Sequence, residues 1–593
     1  MVMVQLLGKL HALPMRFSPF RFAALAMCAA IATGQDQPAP GKGAKMDRQE
    51  MNGKIEKPVK PDDPAPQKKG GFKFAEEVRA PRDAKPITTA IDHWVDAALS
   101  RARIPASPQA DDAEFLRRVT LDIIGRIPTA YEAATFFQST DPEKRSRWIN
   151  ELLASPSYGE HFATIWRELM LPRDNGMKGG RDMFPPWLAE QFSRNRGWDR
   201  IVTDMLTVEG KLRDLPQAGF IMANTDNGEP QPNLLADSTG RLFWGVQLRC
   251  AECHDHPFAQ WKQADFWGTA AFFSRTRKGY SEGKNPSGWT LTESEPVEPA
   301  AMLTPRTWVP PGAAGAAILL PGSAGKGAGK VIQAKFLGGA DAGWKDTGPF
   351  RERFAQWAVG ARNPWFARNA ANRLWAQFFT RGLLTPLDGF NGENQPSHPE
   401  LLAVLSRELV DSGFDLKHVI RCLCHSRAYQ RSSRVVAGNE RDEKYFSHRL
   451  VKVMRPEMLY DSLSVALKPS APKGGSKGGG VDHAQPMTGV SRDEFVRFFA
   501  SRPDENEGSM VNQGIPQLLR LMNGALLHDA EKDGVRFSGD ATDAVYLAAF
   551  SRKPNDEERR LVKDFTAAHA DAREAADGLL WTLLNSAEFV TNH

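Results

Sequence analysis

Apolar residues recur at helical spacing through two long stretches of this chain, and a Gly/Pro-rich stretch between them breaks the pattern. That alternation constrains the fold most. A 3.6-residue period gathers apolar side chains on one face of a helix and cannot line one face of a strand. Ile91, Trp94, Val95 and Ala98 share a face. Phe115, Val119, Ile123 and Ile124 repeat it after Asp111 and Asp112, which suit a helix start, and Gly125 and Pro128 close that run. Trp148, Leu152 and Leu153 follow, with Pro156 ending their run. His161, Phe162, Ile165, Trp166 and Leu169 mark another helix, and residues 187–210 hold at least one more. The spacing resumes at Phe350 with Arg351, Phe354, Trp357 and Ala358. Pro396-Ser397-His398-Pro399-Glu400 then opens a helix, with Ser397 or His398 near the cap and Pro399 in the first turn. Residues 511–593 read as helical again. The expected fold is mainly α, with two large helical regions joined by a small β-containing, Gly/Pro-rich insert.

Boundaries follow from the same pattern. Residues 1–34 read as a signal peptide: Arg16 and Arg21 precede the apolar run 22–32, and Ala32-Thr33-Gly34 offers small residues for cleavage. The run is too short for a permanent bilayer span. Cys28, in Leu25-Ala26-Met27-Cys28, resembles a lipoprotein box, but Met27 is a poor residue before a lipidated Cys, which disfavours an anchor there. Residues 35–86 are rich in Pro, Lys and Gly and read as a flexible linker. A helical domain is expected over 87–279, an insert with strands near 317–320 and 331–337 over 280–348, and a second helical domain over 349–593. The Gly/Lys/Ser loop near 470–490 in that second domain is expected to be mobile. Residues 325–330 resemble a phosphate loop but fail as one, because Ala324 stands where its first Gly is required and Val331 where Ser or Thr is required.

Charge is nearly balanced, 76 basic against 71 acidic residues, and no basic face stands out, so nothing points to nucleic acid. Beyond Cys28 only Cys250, Cys253, Cys422 and Cys424 remain, too few for a disulfide-built scaffold. Hydrophobic cores must hold such a chain together. Cys422 and Cys424 lie in an apolar helical pattern with Val419, Ile420 and Leu423 and read as core thiols.

Cys250-Ala251-Glu252-Cys253-His254 carries the chemistry. C-x-x-C-H is the attachment signature of a c-type haem: two thiols spaced for thioethers to the two vinyl groups, and a His placed to ligate the iron from one side. With 5 Cys and 13 His in the chain, such a match arises by chance in about one sequence in a thousand of this composition. Haem of this kind is attached outside the cytoplasm, which agrees with the expected signal peptide and places the protein in the periplasm or cell envelope. Phe258, Trp261, Phe266 and Trp267 follow the motif and Phe243 and Trp244 precede it; these rings could wall a haem or fill a core. In place of haem, Cys250, Cys253, His254 and His256 are candidate zinc ligands, and the thiols could equally form a disulfide or serve as core residues. A cofactor-free envelope scaffold or a hydrolase-like protein stays open too, with Asp255, His256, Asn372, Arg373, Ser397 and His398 as its polar candidates. Neither H-E-x-x-H nor G-x-S-x-G is present. No substrate or catalytic residue can be read from the sequence.

Several segments together resemble one family: a planctomycete-specific cytochrome-type domain followed by its planctomycete-specific partner domain, both of unknown function. The first domain is carried by residues 114–122, Gly125-Arg126-Ile127-Pro128-Thr129, residues 152–161 and residues 247–258. The second is carried by residues 363–368, Asn372-Arg373-Leu374-Trp375, Gly382-Leu383, residues 396–402, residues 426–433, Leu521-Met522-Asn523-Gly524 and residues 584–589. The resemblance implies a cytochrome with Cys250 and Cys253 as haem attachment points and His254 as the proximal iron ligand. The chain departs from the pattern twice. The separate N-terminal haem domain of many relatives is replaced by the linker, and residues 502–508 lack the Cys-rich motif that many relatives carry there. If haem is bound, electron transfer with a redox partner in the envelope is the expected role. His161, His398 or a Met would then be candidates for the sixth iron ligand, while His256 lies too close along the chain.

Overall fold

A computed structural model describes residues 82–171, 183–280, 288–293, 316–319, 330–339, 349–467, 491–499, 542–569 and 571–593. The signal peptide, Cys28, nearly all of the linker, residues 325–329, the loop near 470–490 and the segments 502–508 and 521–524 lie outside the described residues.

The Asp112–Ile124 helix is the hub. Asp111 caps its N-terminus, accepting from the backbone N–H groups of Ala113 and Glu114, and Gly125 ends it in the left-handed conformation at φ 74°. Every residue from Phe115 to Ile124 is buried. Helices Lys144–Ala154 and Pro156–Met170 pack against it, and Phe184–Ser193 packs on the latter. The run that holds Trp148, Leu152 and Leu153 ends at Ala154, just before Pro156, and Pro156 also starts the next helix, in the first turn after the Ser155 cap. In the second half, Phe366–Phe379, Pro399–Asp411 and Leu416–His425 form the principal layer, and Cys422 and Cys424 are fully buried within the last of these.

The fold is mainly α, and its sheets are small. Gly210–Lys211, Trp289–Glu293 and Thr276–Tyr280 make a three-stranded antiparallel sheet in that order, and Ala317–Leu319 pairs with Val331–Gln333. No helix among the described residues is long and apolar enough to cross a membrane.

One hydrophobic core runs from Ala84 to Phe446, so the two helical stretches share an interior. A second core gathers Leu121 and Ile127 from the hub with residues between Met454 and Phe589. The hub's polar residues are buried as well, because the rest of the chain satisfies them. Arg117 donates to the carbonyls of Ala549 and Phe589. Arg118 donates to those of Tyr429, Arg431 and His593. The C-terminal strand Thr591–Asn592 pairs with Lys452–Val453 beside this helix, and Pro81–His593 forms one compact unit.

Candidate cofactor site

The motif sits on a short 3-10 helix, Arg249–Glu252. Ala251 is its one buried residue, packed into the main core, which turns its neighbours outward. Cys250 and Cys253 are exposed free thiols, and His254 and Asp255 are exposed with them. The turn is fastened from behind. Trp267 Nε1 donates to Glu252 O at 2.9 Å, Gln263 Nε2 donates to Glu252 O and Cys253 O at 3.2 and 3.0 Å, and Asn233 donates to the Glu252 carboxylate. Asp255 accepts from Gln263 N at 2.9 Å. The spacing of the two thiols is therefore held by side-chain bonds to the backbone rather than by a long helix.

The two histidines are set to opposite tautomers. His254 Nδ1 lies 2.7 Å from Asp255 O. A carbonyl only accepts, so Nδ1 carries the proton and the Nε2 lone pair of the neutral ring is free to bind a metal. His256 Nδ1 instead accepts from Phe258 N at 3.1 Å, which leaves its proton on Nε2. His254 presents a free Nε2 lone pair; His256 presents an N–H. Among the described residues no group of three or more His, Cys, Asp or Glu side chains gathers as a metal site.

The flanking rings divide. Trp244, Trp261 and Trp267 are buried; Trp244 packs on Phe354, Trp357 and Trp365, and Trp261 on Trp365. They pack in the core. Phe258, 75% exposed, remains on the solvent side with the thiols. The residues present fit a haem by donor set, two accessible thiols and one prepared imidazole on the outer face of the turn.

Both histidines expected as candidates for the sixth ligand are buried. His161 is buried under the hub helix beside Phe162, and His398 is buried against Tyr445 and Phe446 with Nδ1 2.9 Å from Ser397 Oγ. Of the polar residues of the hydrolase reading, Asn372 bonds both the N–H and the carbonyl of Leu384, and Ser397 donates to Leu383 O.

Sequence reasoning missed a charged group beside the turn. Burial holds the Asp237 carboxyl above its ordinary range; Arg241 and Arg249 oppose this, and the like charges of Glu252 and Asp388 add to it. Burial also lowers the Arg373 guanidinium to about 10, against the attraction of Asp388. Asp237 and Arg241 stand four residues apart, the one local signal available; Arg373 and Asp388 arrive from more than 120 residues downstream.

Comparison with known families gives two matches. Residues 90–278 match PSCyt2, a protein of unknown function (DUF1549), and residues 350–566 match PSD1, a protein of unknown function (DUF1553). No curated protein and no solved structure matches the chain.

Proposed function

We infer that this chain, which belongs to the family joining a DUF1549 domain to a DUF1553 domain, is an exported redox protein carrying one c-type haem on the Cys250–His254 turn. One observation carries the reading: two exposed free thiols stand beside an imidazole whose Nδ1 proton is committed to a carbonyl, leaving Nε2 for iron. Cys250 and Cys253 would hold the porphyrin by thioethers, and His254 would ligate its iron. When bound, the group supplies one-electron chemistry at a potential set by axial ligands, burial and hydrogen bonds. The chain's own residues do the positioning. Trp267 and Gln263 fix the turn, Asp255 O fixes the ring plane of His254, and outward exposure leaves the attachment face open to a redox partner in the envelope. The zinc alternative is less well served, because His256 offers an N–H where a ligand needs a lone pair.

The test is a pyridine haemochrome spectrum of protein produced with c-type maturation, beside Cys250→Ala/Cys253→Ala. A c-type spectrum that survives denaturation and is lost in the variant is expected. Absence of haem from the matured wild type overturns the reading, and zinc analysis of that sample then distinguishes a metal site from free thiols.

A further inference from the structure

Two of the chain's Asn-Gly pairs lie among the described residues, and the fold holds them differently. In such a pair the backbone nitrogen of the glycine can attack the side-chain amide carbon of the asparagine, because the glycine has no side chain to shield it. Asn227-Gly228 is the tight turn of a hairpin. Its φ angles are 48° and 81°, and Thr225–Asp226 pairs with Glu229–Pro230 on either side. That pairing locks both peptides. Asn391-Gly392 stands instead in a loop outside any helix or strand.

The loop folds the Asn391 side chain forward over the Gly392 peptide. Oδ1 accepts from Glu393 N at 3.0 Å and from Asn394 N at 2.9 Å, so the side chain runs back along the main chain past Gly392 N. The same two donors point at the oxygen on which negative charge develops when Cγ is attacked, and donors at this range stabilise such an oxyanion. Gly392 is exposed at φ 88°, and a Cβ there would meet nothing within 4 Å, so no neighbour obstructs ring closure. Neither Gly392 N nor Asn391 Nδ2 makes a hydrogen bond among the described residues. Nucleophile and leaving group are both unencumbered.

We propose that Asn391 is a self-modification site, deamidated through attack by the Gly392 backbone nitrogen. Hydroxide removes the Gly392 N–H proton and the nitrogen bonds to Cγ. The Cγ–Nδ2 bond breaks, and ammonia leaves with a proton from water. Water then opens the cyclic imide at either carbonyl, giving aspartate or isoaspartate. Both products add one negative charge, and isoaspartate also lengthens the main chain by one methylene and takes Oδ1 out of its contacts. Asn391 N and Asn394 Nδ2 both donate to Gly389 O, at 2.9 and 3.0 Å. Gly389 bridges to Val246, and Phe390 N donates to Gly245 O at 2.9 Å. Isoaspartate at 391 therefore loosens the strap that leads into the Cys250–His254 turn. The chemistry does not depend on haem.

The test incubates the full chain at mildly alkaline pH and follows each Asn-Gly peptide by mass spectrometry, with isoaspartate read by isoaspartyl methyltransferase labelling. A synthetic peptide spanning residues 386–397 gives the rate without the fold, and Asn391→Gln, which would need a larger ring, assigns the signal. Asn391 in the folded chain should deamidate within about tenfold of the free peptide and faster than Asn227. A folded-state rate more than about tenfold below the peptide, or below that of Asn227, overturns the proposal. In the isoaspartate fraction, hydrogen exchange at Phe390 N–H should be faster than in the unmodified chain; equal exchange overturns the effect on the strap.

Discussion

Asp122→Asn is the sharpest perturbation of this fold. The native carboxylate is 0% exposed and faces Arg449 and Lys452, whose side chains are 2% and 19% exposed. Oδ2 accepts from Tyr429 and Arg449, and Oδ1 from Lys452 and Asn592. An asparagine amide fails in either orientation, because its NH₂ group must point at Arg449 or at Lys452, both donors. The variant thus strands either the Arg449 guanidinium or the Lys452 ammonium and adds a donor–donor conflict. Breaking one partner out of a buried charge pair costs about 3–5 kcal/mol. The exposed pair Arg194–Glu190 should be worth about 0.3–0.5 kcal/mol when broken. Urea unfolding followed by tryptophan fluorescence reads both. The pH dependence is a second check. The cations around Asp122 hold its carboxyl below the usual range despite burial. Its stabilisation is therefore complete above the unfolded carboxylate value and is lost as pH falls through the folded one. Asp122→Asn should flatten that acid limb. A loss below about 1 kcal/mol, or an acid limb identical to wild type, would refute the claim that this junction holds the two halves together.

In the haem-free protein, iodoacetamide should label Cys250 and Cys253 and spare Cys422 and Cys424. The latter pair are fully buried, and burial pushes the Cys422 thiol up to about 12; peptide mass spectrometry decides, and native labelling of Cys422 counts against its burial. His161→Gln should remove part of the acid sensitivity. Between the ordinary histidine value and about 3 the unfolded chain takes up a proton that the folded chain refuses, so wild-type stability falls by about 1.4 kcal/mol per pH unit on the way down. Parallel wild-type and variant curves would show that the ring titrates normally. Asp237→Asn should raise stability at pH 7 more than at pH 3, because the raised Asp237 carboxyl costs stability once ionised above its unfolded value; equal melting shifts at the two pH values would count against that burial.

The periodic helices were legible because each carries its own signal. Asp111, Asp112 and Gly125 mark both ends of the hub; His398 and Pro399 mark the start of Pro399–Asp411; the apolar face of Leu416–His425 gives away its buried thiols. Pro156 marked the end of Lys144–Ala154 correctly, and the same proline occupies the first turn of the next helix. The strands Thr276–Tyr280 and Trp289–Glu293 escaped notice, since they are short, lie at the edge of the Gly/Pro-rich stretch and gain their order from pairing with each other. At the site, the donor residues were legible as a motif, but the tautomers of His254 and His256 depend on contacts with Asp255 O and Phe258 N. The buried junction was illegible for a stronger reason. Arg117, Arg118 and Asp122 look like the solvated face of an amphipathic helix until carbonyls and cations from residues 429–593 arrive to satisfy them.

That junction has a counterpart just before the cofactor turn, and together they explain why two domains of unknown function travel in one chain. Residues Gly240–Trp244 form a π-helical turn, and carbonyls of this turn accept from the second domain. Asn369 Nδ2 donates to Leu242 O and Arg373 to Arg241 O, each at 2.8 Å, while Trp244 Nε1 donates to Ala358 O at 3.1 Å. Gly245 follows at φ 66°, and a Cβ there would strike Asn369, Phe390 and the carbonyl of Leu387. Its own carbonyl accepts from Phe390 N at 2.9 Å. Val246 then bridges to Gly389, and four residues later the thiols begin. The segment that aims Cys250, Cys253 and His254 at solvent is thus bonded at nearly every residue to the second domain. The first domain fastens the turn itself through Asn233, Gln263 and Trp267, and the second holds the segment that leads into it.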